Sequence, residues 1–478
     1  MTLIPLRYST SSTKEEKLSP LFSFFRIKAF TLFSGRIHKI TKEQRGSVEG
    51  MILRTKTSQR ANGQETPATQ PMTANAKEVV AYLHRPEIGR WLLRQGRIPV
   101  TGNTARPGWR TYRVCLYQDY VLDIARSEEQ SQWLLHRLQE PEWHSVSLPS
   151  TETEIQVVQG LATRSLYAAG ADAGQVTIMA ASPHRLKVVE VEPNWPARHA
   201  DEYMQRARDW WEARMRKQPQ TLQSLGADPE FALRKPTGEM ALASDFLSIN
   251  GAVGCDTTRY REELGLHQHP VAELRPAPSE DPDQLFTHIY DNLALAYQKI
   301  GDASIEWLAG GMPFQGYPIG GHIHFGGLTP TFSLRRKLDA YLALPLVLIE
   351  DTGCMSRRER YGFLGDVREK EYGFEYRTLP SWLVDPLVAR GILHLAHLVA
   401  TNHEKLQATP HLKLPLIKAY YQGEKEKLLP YVVQVWQEVK ELPGYTLSRI
   451  HLDRYFSFLI AGQSWRTDED LRKIWKLP

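Results

Sequence analysis

The run GGHIHFGG at residues 320–327 places His322 and His324 on either side of Ile323, between pairs of glycines. In a β-strand, residues i and i+2 point to the same face, so both imidazoles share one face and Ile323 lies on the other. The same spacing of polar residues occurs in Asp228-Pro-Glu230, Glu273-Leu-Arg275 and Glu375-Tyr-Arg377. These pairs alternate with amphipathic helices. The pattern therefore predicts a sheet with one concave polar face and one face turned toward a core.

The polar face carries a specific set of groups: four carboxylates, two imidazoles and two guanidiniums. Carboxylates that are packed together repel one another unless divalent cations neutralise them. An oxygen-rich set with few imidazoles fits Mg²⁺ or Mn²⁺ better than Zn²⁺. Arginines beside such ions fit a polyphosphate. The chain has no GxxxxGK[ST] sequence, so any nucleotide is held in another way.

The composition is that of a soluble globular protein: 478 residues, 42% hydrophobic and 24% charged. Residues 1–50 contain nine Lys or Arg and four Asp or Glu, which accounts for the whole net charge of +5. The rest of the chain is formally neutral and gives no electrostatic reason to expect nucleic-acid binding. Leu18–Ser34 is too short and too charged for a membrane span. The three cysteines are far apart, which predicts a reducing compartment, the cytoplasm.

Periodicity predicts an α+β chain in which a smaller α+β domain precedes the catalytic domain. The expected parts are a disordered or over-extended segment (1–75), an accessory domain (76–217), a catalytic domain (225–409) and a helical C-terminal tail (410–478). Helices are expected at Lys77–Gln95, Glu128–Leu138, Asp283–Ile300, Ser333–Glu350 and Asp385–Leu406. Pro345 is expected to bend the fourth of them, and Asp385 to cap the last, with Pro386 in its first turn.

A family resemblance is carried by four runs taken together: GADPEF (226–231), AELRP (272–276), GGHIHFGG (320–327) and EYRTLPSWL (375–383). In this order they resemble the signatures of phage-type carboxylate–amine ligases, or amidoligases, a family related to glutamine synthetase and glutamate–cysteine ligase. The resemblance implies a glutamine-synthetase-like fold with a curved, mainly antiparallel sheet. It also implies an ATP- and Mg²⁺- (or Mn²⁺-) dependent reaction that joins a carboxylate to an amine through an acyl phosphate. The substrate is left open among an amino acid, a peptide and a protein, and so is the oligomeric state.

The resemblance further implies roles for the matching positions. Metal ligands would be Asp228, Glu230, Glu273, His322 and Glu375. ATP phosphates would be contacted by His324, Arg377 and one or more of Arg357, Arg358 and Arg360 in the run SRRERYG. Arg275 would hold a substrate carboxylate, and Arg377 would stabilise the charge of the migrating phosphoryl group. Glu375 and Asp256 are both candidates for the base that deprotonates the amine.

One departure from the family pattern concerns the substrate pocket. Many members carry a Gly-x-Asp-Gly turn, whereas this chain has Gly254-Cys-Asp256-Thr257, followed by an insertion-like run at Arg259–His269. A second, fainter resemblance is that of Leu166–Pro196 to the last metal-binding segment of ATP-grasp enzymes. Glu190, Glu192 and Asn194 lie near its ligand positions. This region is interpreted as a degenerate or purely structural relative.

Two alternative functions follow from the same residues. One is a catalytically inactive relative that binds nucleotide or metal on the same fold. The other is a metal-dependent hydrolase that uses His322 and His324. The 154 residues after His324 are too few for most of the barrel on which such hydrolases are built.

Overall fold

The structure is a computed structural model that describes residues 72, 74–102, 108–128, 142–258 and 264–477. Most of the predicted N-terminal extension therefore lies outside the described residues. So do residues 129–138 of the helix expected at Glu128–Leu138, whereas Glu128 itself ends a strand. In the part of the chain that is described, no helix is long and apolar enough to cross a lipid bilayer.

The N-terminal region is built around an antiparallel sheet in the order β3-β2-β1-β4-β5. Its elements are α1 (Lys77–Leu83), α2 (Pro86–Gln95), β1 (Arg110–Tyr117), β2 (Tyr120–Glu128), β3 (His144–Ser145), α3 (Thr153–Ala168), β4 (Ala173–Ser182), β5 (Arg185–Glu192) and α4 (Ala200–Met215). The single helix expected at Lys77–Gln95 is two helices. The break falls at Arg85, because a residue that precedes a proline disfavours the helical conformation.

Asn75, which the sequence places in the N-terminal extension, belongs to this folded region. Its Nδ2 donates to the carbonyls of Ala173 and Pro193, at 2.8 and 2.7 Å. Its Oδ1 accepts from the backbone N–H groups of Asp172 and Ala173. Asn75 is therefore part of the N-terminal region and not of the extension.

The second region is built around a sheet in the order β12-β13-β11-β6-β9-β8, and each neighbouring pair in it is antiparallel. Two short strands, β7 and β10, pair with the far end of β6. The strands are β6 (Ser224–Arg234), β7 (Met240–Ala241), β8 (Val253–Cys255), β9 (Val271–Leu274), β10 (Glu306–Leu308), β11 (Gly321–Gly326), β12 (Val367–Lys370) and β13 (Gly373–Tyr376). The four strands that carry the polar pairs, β13, β11, β6 and β9, are consecutive in the sheet.

The helices of this region are α5 (Pro282–Ile300), α6 (Phe332–Leu338), α7 (Leu344–Leu346), α8 (Thr352–Arg357), α9 (Pro386–Asn402), α10 (Leu414–Gln422), α11 (Lys425–Lys440), α12 (Tyr445–Ala461) and α13 (Leu471–Ile474). As predicted, the Asp385 side chain caps α9 by accepting from the Leu387 N–H at 2.7 Å. The helix expected at Ser333–Glu350 is interrupted by a π-helical turn, Asp339–Ala343, upstream of Pro345. Pro345 has no N–H to donate to the carbonyl of Tyr341, and its ring crowds that carbonyl, so the helix widens there.

The helices after residue 410 pack against the rest of the second region. Trp475 Nε1 donates to the Leu383 carbonyl at 2.6 Å, and the Tyr431 hydroxyl donates to the Ala340 carbonyl at 3.1 Å. Both side chains are buried. This segment, which the sequence predicts to be a helical C-terminal tail, therefore contributes to the core behind the large sheet.

Buried polar contacts join the two regions. Arg335 pairs with Asp119, and Arg336 Nη1 lies 3.0 Å from Asp172 Oδ1. Asp339 accepts hydrogen bonds from the hydroxyls of Tyr167, at 2.7 Å, and Tyr376, at 2.8 Å, and from the Gly365 N–H. Charged and polar groups at this depth are stable only while each has its partner.

Candidate functional site

The polar pairs meet on one face of the large sheet. Strand register sets His322 directly opposite Asp228, His324 opposite Glu375, and Glu230 opposite Glu273. The residues between them, Leu274, Ile323 and Tyr376, are fully buried on the other side. The alternation predicted from the two-residue spacing is confirmed.

A first group of possible metal ligands consists of Asp228, His324 and Glu375, whose donor atoms lie within 4.8 Å of one another. His324 Nε2 is 3.1 Å from Asp228 Oδ2, and His324 Nδ1 contacts the Tyr372 hydroxyl. Burial alone would raise the pKa of Asp228. The charges and hydrogen bonds of His322 and His324 outweigh burial and hold this pKa well below its usual range.

A second group consists of Glu230, Asp256 and Glu273, also within 4.8 Å of one another. Glu230 Oε2 accepts a hydrogen bond from the Gly320 N–H at 2.7 Å. Burial, followed by the charges of Asp256 and Glu273, raises the pKa of Glu230 well above its usual value. Burial and the charge of Asp228 raise the pKa of Glu273 to about 7. Three acids held this closely form a strongly negative site that a cation would stabilise.

His322 lies between the two groups. Its Nδ1 is 3.2 Å from Asp228 Oδ1 and 3.4 Å from Glu375 Oε1 in the first group. Its Nε2 is 4.0 Å from Glu230 Oε1 in the second. From the sequence, His324 is predicted to contact phosphate and Asp256 to act as a base. In the structure, His324 belongs to the first group of possible metal ligands and Asp256 to the second.

Glu375 is 1% exposed and surrounded by cations. Arg377 Nε lies 3.2 Å from its Oε1, as the sequence pair implies. Arg368 Nη1 and Lys370 Nζ, from the neighbouring strand β12, lie 3.2 and 3.3 Å from its Oε2. Arg368 and Lys370 were not among the residues predicted from the sequence, although both follow the same two-residue spacing just before the Glu375 strand. Together the three cations give this end of the site the charge that polyphosphate requires.

The three arginines of the SRRERYG run have different surroundings. Arg357 is buried at the wall of the site, where its Nη1 and Nη2 donate to the carbonyls of Thr378 and Arg377. Arg358 is buried away from the site, pairs with Glu350 and stacks on Tyr420. Arg360 is exposed. Of the three, only Arg357 lines the cavity described below.

Arg275 is engaged by the protein itself. It pairs with Glu273, and its Nη1 and Nη2 donate to the carbonyls of Ile249 and Cys255, each at 2.8 Å. These contacts position Glu273 within the second group. A role for Arg275 in holding a substrate carboxylate stays a prediction.

A cavity opens on the polar face beside both groups. Its walls include Glu230, Asp256, Thr258, Gly320, His322, Arg357, Tyr361, Asp366 and Arg377. Thr258, Tyr361 and Asp366 were not foreseen, because they come from loops whose position depends on tertiary packing. The Asp256 carboxylate accepts from the N–H and the hydroxyl of Thr258, both at 3.1 Å.

The donor atoms of the site fit bound cations and phosphate. Within the described residues, five buried polar atoms of the strand pairs have charged partners at 3.1–3.4 Å but no hydrogen bond of acceptable geometry: Asp228 Oδ1, His322 Nδ1, His324 Nε2, Glu375 Oε1 and Arg377 Nε. Unsatisfied buried polar groups are costly, and they cluster where a ligand would satisfy them. Mostly carboxylate donors with two imidazoles suit Mg²⁺ or Mn²⁺.

The residues of the fainter ATP-grasp resemblance are not part of any such group. Glu190 and Glu192 lie on β5, and Asn194 is exposed just after it. Glu192 accepts a hydrogen bond from Gln175 Nε2 on the neighbouring strand. The possible metal clusters found in the described part of the chain include none of these three residues.

Comparison with known proteins identifies the class. A family model of carboxylate–amine ligases matches residues 225–477, more than half of the chain. The chain therefore belongs to the family described as phage phiEco32-like COOH.NH2 ligase-type 2.

Other comparisons are weaker. A bifunctional glutathione synthetase from Pasteurella multocida superposes with a TM-score of 0.34 and 11% sequence identity, over 52% of this chain and 49% of that protein. The chain thus spans about half the length of that structure. No curated protein matches the chain.

Proposed function

We propose that this protein is an ATP-dependent ligase that joins a carboxylate to an amine through an acyl phosphate, on a glutamine-synthetase-like fold. The observation that carries the proposal is the pairing of two carboxylate groups with Arg357, Arg368, Lys370 and Arg377 on one face of the sheet. Membership of a carboxylate–amine ligase family supports it. The acid would be a free amino acid, a peptide terminus or a protein side chain.

Two groups of residues would hold divalent cations: Asp228, His324 and Glu375, and Glu230, Asp256 and Glu273, with His322 between them. Bound Mg²⁺ or Mn²⁺ would offset the negative charge of ATP phosphates and of the migrating phosphoryl group. Arg368 and Lys370 are partly exposed at the rim, so they can move from Glu375 to a phosphate. His324 would contact the same phosphates beside them.

In the first step, an oxygen of the substrate carboxylate attacks the γ-phosphorus of ATP. The bond to the bridging oxygen breaks, and ADP leaves. Arg377 and Arg357 face the cavity and would stabilise the charge of the phosphoryl group in flight. Burial keeps both guanidiniums partly dehydrated, which strengthens their electrostatic effect.

In the second step, the amine nitrogen attacks the acyl carbon, and inorganic phosphate leaves as the amide forms. The amine must lose a proton to a nearby base. Asp256 suits that role better than Glu375, because Asp256 is only partly buried on the cavity wall. Glu230 and Glu273 would then hold the second cation without Asp256.

The decisive experiment incubates the purified full chain with ATP, Mg²⁺ and a panel of acids and amines. ADP release is followed, and the amide is identified by mass spectrometry. His324→Ala and Arg377→Ala are each expected to lose about 2–4 kcal/mol of transition-state stabilisation, the scale of one preorganised donor. Arg360→Ala, at an exposed position outside the cavity, is the control.

Three outcomes distinguish the ligase from the inactive relative and from the hydrolase. ADP and amide formed together support the ligase. Nucleotide binding in calorimetry without turnover across the panel indicates an inactive relative. Metal-dependent cleavage that proceeds without nucleotide indicates a hydrolase and overturns the proposal.

A further inference from the structure

Three helices behind the large sheet bring Asp283, His394 and His451 together. Asp283 lies in the first turn of α5, His394 in the middle of α9 and His451 in α12. The three donor atoms lie within 4.8 Å of one another. None of these residues lines the cavity on the polar face of the sheet. The cluster is therefore separate from the ligase site.

The atoms of this cluster converge on a single carboxylate oxygen. Asp283 Oδ1 lies 3.3 Å from His394 Nε2 and 3.7 Å from His451 Nε2. Arg390 Nε approaches the same oxygen at 3.2 Å. Yet His394 Nε2 and Arg390 Nε are buried without a hydrogen bond of acceptable geometry. His394 is only 3% exposed, so its Nε2 is shielded from bulk water.

The surroundings of His394 orient its Nε2 toward Asp283. Its other nitrogen, Nδ1, lies 2.9 Å from the Ser448 hydroxyl on α12. A proton on Nδ1 donated to that hydroxyl leaves a lone pair on Nε2, which is how outer hydrogen bonds fix the histidine ligands of metals. The His394 and His451 rings are stacked with centroids 4.4 Å apart. Two protonated imidazoles at this distance would repel each other.

We propose that Asp283, His394 and His451 bind a divalent transition-metal ion of the zinc class, which ties α5, α9 and α12 together. Two imidazoles and one carboxylate are ligands that such ions prefer, whereas Mg²⁺ prefers sites in which oxygen ligands predominate. Tetrahedral ligands with bonds of about 2.0–2.1 Å lie roughly 3.3 Å apart, which matches the separation of Asp283 from His394. Arg390 stacks on Phe286 and is 36% exposed, so it can withdraw when the ion enters.

The test uses the full chain with Glu230→Gln and Glu375→Gln substitutions, which weaken the sheet site, after treatment with a chelator. Zn²⁺ is then titrated by calorimetry, and thermal unfolding is recorded with and without Zn²⁺. One zinc ion is expected to bind and to raise the unfolding midpoint. His451→Gln and Asp283→Asn are each expected to weaken this binding at least tenfold, because loss of even an outer hydrogen-bond partner costs about 10–100-fold. Ser448→Ala removes the hydrogen-bond partner of His394 Nδ1 and is expected to weaken zinc binding by about 10–100-fold.

His397→Gln is the matched control, because His397 lies one turn beyond His394 on the same helix but outside the cluster. It should bind zinc as tightly as the parent chain. Absence of zinc binding by the parent, or binding that His451→Gln and Asp283→Asn leave unchanged, would overturn the proposal and identify a purely hydrogen-bonded network. Because the readout is metal binding and not catalysis, failure here leaves the ligase proposal untouched.

Discussion

His322 Nδ1 lies 3.2 Å from Asp228 Oδ1, directly across the pair of strands β11 and β6. The backbone register of the two strands therefore brings an imidazole and a carboxylate together at the centre of the site. A slip of one residue would turn both histidines and their opposing acids toward the core. The register also sets His324 opposite Glu375, so one strand, β11, connects the carboxylates of both its neighbours.

Neutralising either buried glutamate should separate catalysis from stability. Glu230→Gln and Glu375→Gln are expected to abolish amide formation, because each removes a charge needed to hold cations. Without metal, Glu230→Gln should unfold at the same temperature as the parent or slightly higher, since its acid neighbours repel the native charge. Kinetic assays and thermal melts check both points, with exposed Glu239→Gln as control. Normal ATP turnover by both variants would show that the metal assignment is wrong.

Alanine substitutions of the three arginines in the SRRERYG run should have different effects on activity and stability. Arg357→Ala should lower kcat by about 10²–10³, the effect of removing one preorganised donor. Arg358→Ala should instead cost about 3–5 kcal/mol of stability, because it leaves buried Glu350 without its partner. Arg360→Ala should change neither. Steady-state kinetics and urea unfolding on all three variants test this order, and an active, stable Arg357→Ala would contradict it.

The two cations of β12 should act on nucleotide affinity. Arg368→Ala and Lys370→Ala should raise KM for ATP and leave thermal stability nearly unchanged, because both side chains are partly exposed at the rim. The effect should grow when the two are combined and shrink at high salt, which screens exposed charges. Exposed Arg216→Ala serves as the charge-matched control. An unaltered KM in the double variant would remove these residues from the nucleotide site.

The buried carboxyl group of Asp339 should make the stability of the protein depend on pH, independently of the candidate active site. Burial raises its pKa from 3.8 to about 6, against the hydrogen bonds that it accepts. An acid whose folded pKa is raised binds protons more readily when folded. Its contribution is therefore most favourable below pH 4 and is lost as pH rises to about 6.

A shift of this size corresponds to about 3 kcal/mol. The difference in unfolding free energy between the parent and Asp339→Asn should change across this window and be flat above it. Urea denaturation at a series of pH values measures that difference. Tyr167→Phe removes a hydrogen bond that lowers the pKa of Asp339, so it should extend the pH dependence of the parent chain to higher pH. A difference that does not vary with pH would refute the assignment.

Much of the sheet could be predicted from local spacing. The i, i+2 pairs identified four strands and their polar face, and the cap of α9 followed from an Asp-Pro sequence. These features are encoded within a few residues. The opposing charges of the site, by contrast, depend on which strands are neighbours.

The parts that local spacing could not supply come from distant segments. Arg368 and Lys370 matter only because β12 pairs with β13, and Asp256 only because β8 lies beside β9. The choice of Arg357 over Arg358 depends on Glu350, which takes Arg358 into the core. Tyr167, whose hydroxyl donates to Asp339 in the π-helical turn, comes from a region far away along the chain.

The buried contacts between the two regions limit how the chain can be truncated. Arg335, Arg336 and Asp339 all lie in the family-matched segment, yet their partners Asp119, Asp172 and Tyr167 precede it. A fragment restricted to residues 225–477 would leave these three side chains exposed or without their partners, and it would lose part of the core that surrounds them. The family-matched segment should therefore misfold when it is expressed or fused alone, unless the N-terminal sheet is included.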